Sequence, residues 1–359
     1  MKRHGNLFSR VVRHDNLRLA HQNARRGKTH YHDVMMVDAD PDLYIDQIRQ
    51  TLMNRTFSTA PYTQKTVTEP KRRIIYKLPY FPDRIIHHAV MQVMQPLWDK
   101  TFVYDLYSAI PGKGLHAGSY RLRQFLTDTE NTRYCLKFDI TKFYPSIDPK
   151  ILFEIVSRTT KDPDLLWLLH DVIFSVPEGG GIPIGNYLSQ YFSNLYLSQF
   201  DHWIKEVLGC RYYIRYCDDG VILHGDRNRL EQIRSDIEQY LAGIGLKLNP
   251  KTSIFPVDRC GVDFLGYRCF RSHTLLRKSS ARRLKKRIRR IETEYRTLSP
   301  DTTMSTIGAY HGWLKHCNSH NLARKYLYDN PAIRTAVEHA TENGGMKWPN
   351  WYTAQPSRT

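Results

Sequence analysis

One stretch, residues 211–223, reads RYYIRYCDDGVIL and constrains this chain more than any other. Aromatic and β-branched residues run into two adjacent aspartates and a glycine, and then into Val221, Ile222 and Leu223. Asp-Gly between apolar runs predicts a β-hairpin with its turn at Asp219-Gly220. Turn chemistry leaves Asp218 unexplained, because neighbouring carboxylates repel each other unless a cation lies beside them. On this stretch alone two readings stand: a plain hairpin, and a hairpin that carries a cation.

The charge balance bears on the choice. Against 35 Asp and Glu stand 53 Lys and Arg, a formal net charge of +18 in 359 residues. Such an excess points to a polyanionic partner, most often nucleic acid. A membrane surface is the competing partner, but no apolar run approaches the ~20 residues of a membrane-spanning helix. The basic start, MKRHGNLFSRVV, lacks the apolar stretch of a secretion signal, so a cytoplasmic protein is expected. The six cysteines have no C-x-x-C spacing and read as reduced thiols. His316, Cys317 and His320 are the one cluster with ligand chemistry, and a fourth zinc ligand at proper spacing is missing.

Periodicity sketches the elements. Leu43, Ile45, Ile48 and Leu52 predict a helix within residues 40–54, and residues 62–80 alternate like a hairpin turning near Glu69-Pro70. A helix over 83–98 is expected to stop at Pro96. Residues 132–140 read as a strand ending near Asp139, and 151–176 as helical. Asn186 is expected to cap one long helix with Leu188, Phe192, Leu195, Phe200, Trp203 and Val207 along its seam. An amphipathic helix over 229–244 and strands at 253–257 and 262–270 follow. From residue 277 the chain changes character: RKSSARRLKKRIRR holds nine Lys or Arg in fourteen residues, on a helix with Leu284, Ile288 and Ile291 as its seam.

A strand-end carboxylate at Asp139 and the pair Asp218 and Asp219 can converge if their strands are neighbours. That set suits two Mg²⁺ ions, whose remaining positions are filled by substrate phosphates. In order and spacing, FDITKFYPSID, GIPIGNYLSQYFSNLYL, RYCDDGVIL and GVDFLGYR resemble the palm blocks of reverse transcriptases. EPKRRIIYKLPYFPDRIIHHAV and YSAIPGKGLHAG resemble the fingers blocks before them. The likeness spans roughly residues 60–280, and YCDD falls at the Tyr-x-Asp-Asp catalytic turn.

The resemblance implies an α+β right-hand polymerase: fingers, a palm of antiparallel sheet plus helices, and a short helical thumb. Expected divisions are 1–130 for an N-terminal extension and fingers, 131–275 for the palm with a fingers insertion at about 150–178, and 276–359 for thumb and tail. It implies Asp139, Asp218 and Asp219 as catalytic, with Asp219 the less direct of its pair, and metal held by these three and the Ile140 backbone. Two Mg²⁺ are implied, with Mn²⁺ able to substitute. Lys71, Arg72 and Arg73 are implied for the triphosphate, where a planar guanidinium suits phosphate oxygens. Tyr144 is implied as the aromatic that excludes a ribose 2′-hydroxyl, a core aromatic being the plainer reading.

Ile184, Gly185, Ser189 and Gln190 complete the nucleotide-binding set. Most reverse transcriptases carry Gln-Gly-x-x-x-Ser-Pro there. The Ile-Gly-x-x-x-Ser-Gln form resembles diversity-generating retroelements, which are error-prone opposite template adenines; losing a polar positioning contact loosens selection of the base pair. A packing variant at Ile184 is the alternative. GNLFSRVVRHDNLRLAHQNARRGK and HTLLRKSS resemble the same group. Arg282, Arg283, Lys285, Lys286, Arg289 and Arg290 are expected to meet phosphates of the template–product duplex. Implied partners are a structured template RNA, the DNA product strand, dNTPs and an accessory protein, with no membrane and the oligomeric state open. A defence-associated enzyme copying its own noncoding RNA, and a non-catalytic RNA-binding relic, are the competing readings. With about 80 residues of basic tail after the palm blocks, no RNase H-like or endonuclease region is expected within this sequence.

Overall fold

Residues 134–138, 212–224 and 253–256, apolar and mostly β-branched or aromatic, come together in one four-stranded sheet. The structure, a computed structural model, describes residues 3–68, 72–176 and 180–344. Its strands are β1 (Thr63–Val67), β2 (Arg73–Lys77), β3 (Tyr134–Phe138), β4 (Tyr212–Tyr216), β5 (Asp219–His224), β6 (Ser253–Pro256), β7 (Val262–Phe264), β8 (Tyr267–Cys269) and β9 (Thr274–Leu276). They form three sheets, ordered β1-β2, β4-β5-β3-β6 and β7-β8-β9. Two compact units interleave along the chain. One comprises Met1–Gly114, Leu136–Ile222 and Arg227–Ile254; the other comprises Leu115–Cys135, Leu223–Asp226 and Phe255–Thr359.

In the first unit the expected helix over 40–54 forms as Pro41–Met53. Asp40 accepts a hydrogen bond from the Leu43 amide at 3.2 Å and Pro41 occupies the first turn, where its missing N–H costs nothing. Ile45, Ile48 and Leu52 are buried, while Leu43 faces solvent. Ile85–Trp98 is one helix that runs through Pro96, where the sequence predicted a stop. Only two residues follow the proline, and the fully buried Trp98 draws them in against Tyr191 and Phe192. The single helix expected after Asn186 is three segments: Tyr187–Tyr196, Ser198–His202 and Trp203–Val207. The break falls at Leu197, beside Ser198, whose hydroxyl donates to the Thr101 carbonyl at 2.7 Å. Val207 lies outside the seam, exposed. Asn186 stands at the helix start, but its amide donates to the Tyr62 hydroxyl at 3.1 Å and does not cap the helix.

In the second unit, β7 pairs antiparallel with β8 and β8 with β9. The basic helix is Lys278–Glu294, with Leu284, Ile288 and Ile291 buried as the seam required. Trp313 packs over Tyr267 and against Gly266, and His316 stacks on His116 with ring centroids 4.0 Å apart. The Cys317 thiol lies 3.1 Å from the Ser319 hydroxyl, and among the described residues no three His, Cys, Asp or Glu side chains are grouped here. The expected turn near Glu69-Pro70 and the tail 348–359 lie outside the described residues. All six cysteines are free thiols. Among the described residues no helix is long and apolar enough to cross a membrane.

Candidate active site

β4 and β5 form the hairpin that the Asp-Gly signal announced, with a displaced turn. Cys217 and Asp218 make the turn, and Gly220 already lies inside β5. A Cβ on Gly220 would fall within the Phe138 ring, so the glycine serves close packing of β5 on β3. Cys217 takes a left-handed conformation, φ 53°, which a residue with a side chain adopts only when its surroundings impose it.

Arg215 and Asp201, both fully buried, do the imposing. The Arg215 guanidinium donates through Nε and Nη2 to the two Asp201 oxygens at 2.7 and 2.5 Å, and through Nη1 to the Cys217 carbonyl at 2.7 Å. The Tyr213 hydroxyl also donates to Asp201, at 2.6 Å. The Arg215 backbone is anchored as well, its N–H donating to the Asp105 carbonyl and its own carbonyl accepting from the Tyr107 amide. Burial pushes the Cys217 thiol up to about 11, so it stays protonated and is no nucleophile.

The opposite wall is Asp139, immediately after β3. Asn249 holds it twice: its side-chain amide donates to the Asp139 carboxylate at 2.8 Å and its backbone N–H to the Asp139 carbonyl at 2.8 Å. Thr141 donates to the Lys247 carbonyl at 2.8 Å, and Ile140 bridges Leu248, so residues 247–249 act as a short added strand. Asp139 and Asp218 lie near enough for each charge to act on the other. Burial first, and then the Asp139 charge, push the Asp218 carboxyl up to about 7. Two carboxyls so placed hold either a shared proton or a cation.

That donor set fits a divalent metal. Among the described residues no three His, Cys, Asp or Glu side chains form a ready-made metal cage, and Asp219 stands beside the pair as the first residue of β5. Two carboxylates with phosphate oxygens completing the shell are what Mg²⁺ ordinarily accepts. Asp139 and Asp218 would hold it, with Asp219 and the Ile140 backbone adjacent. When bound, such an ion would lower the pKa of a 3′-hydroxyl and neutralise phosphate charge. The chain's own part is to hold the two carboxyls fixed and partly desolvated.

Tyr144 is half-buried next to this turn. Burial, with Cys217 and Asp218 nearby, pushes its phenol up to about 12, and its hydroxyl lies 3.4 Å from that of Ser193. The Ile184 carbonyl accepts from the Tyr76 amide of β2 at 2.8 Å. Gly185, at φ 116°, has Ile75 and the Tyr76 carbonyl where its Cβ would be, each 2.8 Å away. Glycine is therefore demanded here by the approach of β2, whatever nucleotide comes near. Ser189 is buried and Gln190 exposed. Arg72 and Arg73 are exposed at the start of β2, and Lys71 lies outside the described residues. In the second unit Arg282, Arg283, Lys285, Lys286, Arg289 and Arg290 are all exposed on the basic helix, Arg290 pairing with Glu294 at 2.8 Å.

Sequence reasoning missed Asn249, the Asp201–Arg215 clamp and the mutual bonds of Ser108 and Asn194 at 2.9 Å behind the turn. One signal was available: an arginine within the apolar run YYIRY needs a buried acid. Nothing local points from Arg215 to Asp201.

Paired carboxyls at the ends of neighbouring strands of one sheet are a donor set suited to a divalent ion and phosphate oxygens. The family described as reverse transcriptase (RNA-dependent DNA polymerase) matches residues 64–269, more than half of the chain, and the chain belongs to it. Protein YkfC of Escherichia coli K12 is 25% identical over 244 residues, covering 55% of this chain and 63% of its own length. The mitochondrial nuclear intron maturase 4 of Arabidopsis thaliana is 21% identical over 179 residues, covering 47% of this chain and 22% of its own length. Telomerase from Candida albicans, solved with a fragment of telomeric RNA, superposes with a TM-score of 0.50 at 13% identity, over 84% of this chain and 58% of that one. It shares the right-hand polymerase fold, which agrees with the mixed helices and antiparallel sheets described above.

Proposed function

We propose that this protein copies a specific RNA into DNA by metal-assisted nucleotidyl transfer, and that it does so inaccurately, as the enzymes of diversity-generating retroelements do. The observation that carries the reading is the Asp139–Asp218 pair, with Asp218 raised to about 7 by burial and by its partner. Such a pair has no structural use as a stabiliser, since both carboxyls would fold more favourably apart. Two Mg²⁺ ions, a structured template RNA, dNTPs and an accessory protein belong to the reading. Tyr144, beside the turn, supports exclusion of ribonucleotides. Ile184, which has no side-chain hydrogen-bonding group, supports loose selection of the incoming base.

Sequencing the DNA made from dNTPs and Mg²⁺ by protein purified with its accompanying RNA tests this. Substitutions concentrated opposite template adenines are expected, and Ile184→Gln should reduce them. A faithful or repetitive copy of one bound RNA would instead mark a defence-associated enzyme, and an error spectrum unaltered in Ile184→Gln would remove the role given to that residue.

A further inference from the structure

Tyr144 is held at both ends by residues to which the chemistry above gives no part. Its carbonyl accepts from the Ile182 amide at 3.0 Å, and its hydroxyl lies 3.4 Å from the Ser193 hydroxyl. Gly181, at φ 68°, packs against the same turn, and a Cβ there would fall on the Tyr144 carbonyl and the Pro145 backbone. Both are main-chain atoms, so a side chain at 181 has to displace the turn itself. The stretch that carries Gly181 has little room to yield instead. Ile182 is 2% exposed, Pro183 has a fixed φ, and the Ile184 carbonyl is held by the Tyr76 amide at 2.8 Å. Gly181 to Ile184 therefore form a strut between β2 and the Tyr144 turn.

The hydroxyl end is set separately. Ser193 is buried on the helix Tyr187–Tyr196, and its own hydroxyl is anchored by donating to the Gln190 carbonyl at 2.8 Å. A tyrosine ring has two side-chain torsions, so a fixed main chain and a fixed hydroxyl leave its position determined. Exclusion by contact varies steeply with distance, and a selective geometry is lost over about 1 Å. We propose that Gly181 and Ser193 are positioning residues for sugar selection, which act through Tyr144 by holding its ring where a ribose 2′-hydroxyl would collide. The proposal rests on the reading of Tyr144 as the residue that excludes ribonucleotides, and adds the two residues that set it.

The probe is a DNA primer annealed to a synthetic RNA template and extended by a single nucleotide, from dGTP or from GTP, with Mg²⁺. The readout is the ratio of kcat/KM for dGTP to that for GTP. A loss of folded protein lowers both values together and leaves the ratio unmoved. Gly181→Ala should lower the ratio by roughly tenfold and Ser193→Ala by about threefold. In a Tyr144→Ala background neither substitution should change it further, because residues that act through one another are not additive. An unchanged ratio in Gly181→Ala and Ser193→Ala, with Tyr144→Ala lowering it, would overturn the proposal and leave the reading of Tyr144 standing. A further fall in the Tyr144→Ala background would also overturn it. A ratio unmoved by Tyr144→Ala would refute that reading itself, and the proposal with it. Should a thermal scan show that Gly181→Ala does not fold, Ser193→Ala and its double variant with Tyr144→Ala decide alone.

Discussion

The two hairpins of the first unit are built alike and treated oppositely. In β4 and β5 nearly every side chain is buried, and the turn between them is clamped by an arginine that touches no solvent. In β1 every residue is exposed, and in β2 only Ile75 and Tyr76 are partly covered. An isolated two-stranded ribbon is marginal by itself, and Ile74, 44% exposed, gains nothing from water. The Asp218 hairpin is thus over-determined by the protein, as a metal site would need, because carboxyls must be held before an ion arrives. The other hairpin is left open to solvent.

Four measurements break or sharpen that contrast. Asp218→Asn should lower DNA synthesis by at least about a thousandfold while leaving RNA affinity within about twofold. Synthesis near the wild-type rate would remove Asp218 from the chemistry. Arg215→Met strands a buried carboxylate, which typically costs about 3–5 kcal/mol, so Tm should fall by roughly 10 °C. Adding Asp201→Leu should recover much of the stability and little of the activity, since the Cys217 carbonyl stays unheld. Full recovery of activity would show that the clamp serves stability alone.

The third concerns pH. The folded-state pKa of Asp218 is raised to about 7 from an ordinary 3.8, so the native state holds this proton more tightly than the unfolded chain does. Without metal, its contribution to stability is present below about pH 4 and is lost as pH rises through about 7. Mg²⁺ competes with the proton, so the Tm gain on adding Mg²⁺ should be larger near pH 8 than near pH 5. An equal gain at both would argue that the metal does not replace this proton. Smallest is Ile74→Thr on the exposed hairpin. Tm should move by no more than the equivalent of about 0.5 kcal/mol, while the KM for dNTP rises severalfold. A large loss of stability would mean that the hairpin is not as open as it looks.

Local pattern made much of this molecule legible. Helical seams such as Ile45, Ile48 and Leu52, or Leu284, Ile288 and Ile291, were readable because a 3.6-residue period depends only on neighbours along the chain. That Asp139 and Asp218 would come together was readable because each lies at the end of an apolar strand, and β3 and β5 are neighbours in one sheet. The position of the turn was not readable. Asp219-Gly220 carries the strongest local hairpin signal, yet Gly220 answers to Phe138, a residue 82 positions earlier that only the sheet brings alongside.

The sequence by itself therefore determined the family resemblance and most of the helical seams and strands. Tertiary structure alone decided how the site is held: that Asn249 grips Asp139 and that Asp201 neutralises Arg215. Periodicity records what each residue needs from solvent. Partners far apart in sequence meet only when the chain packs, and no local pattern encodes that meeting.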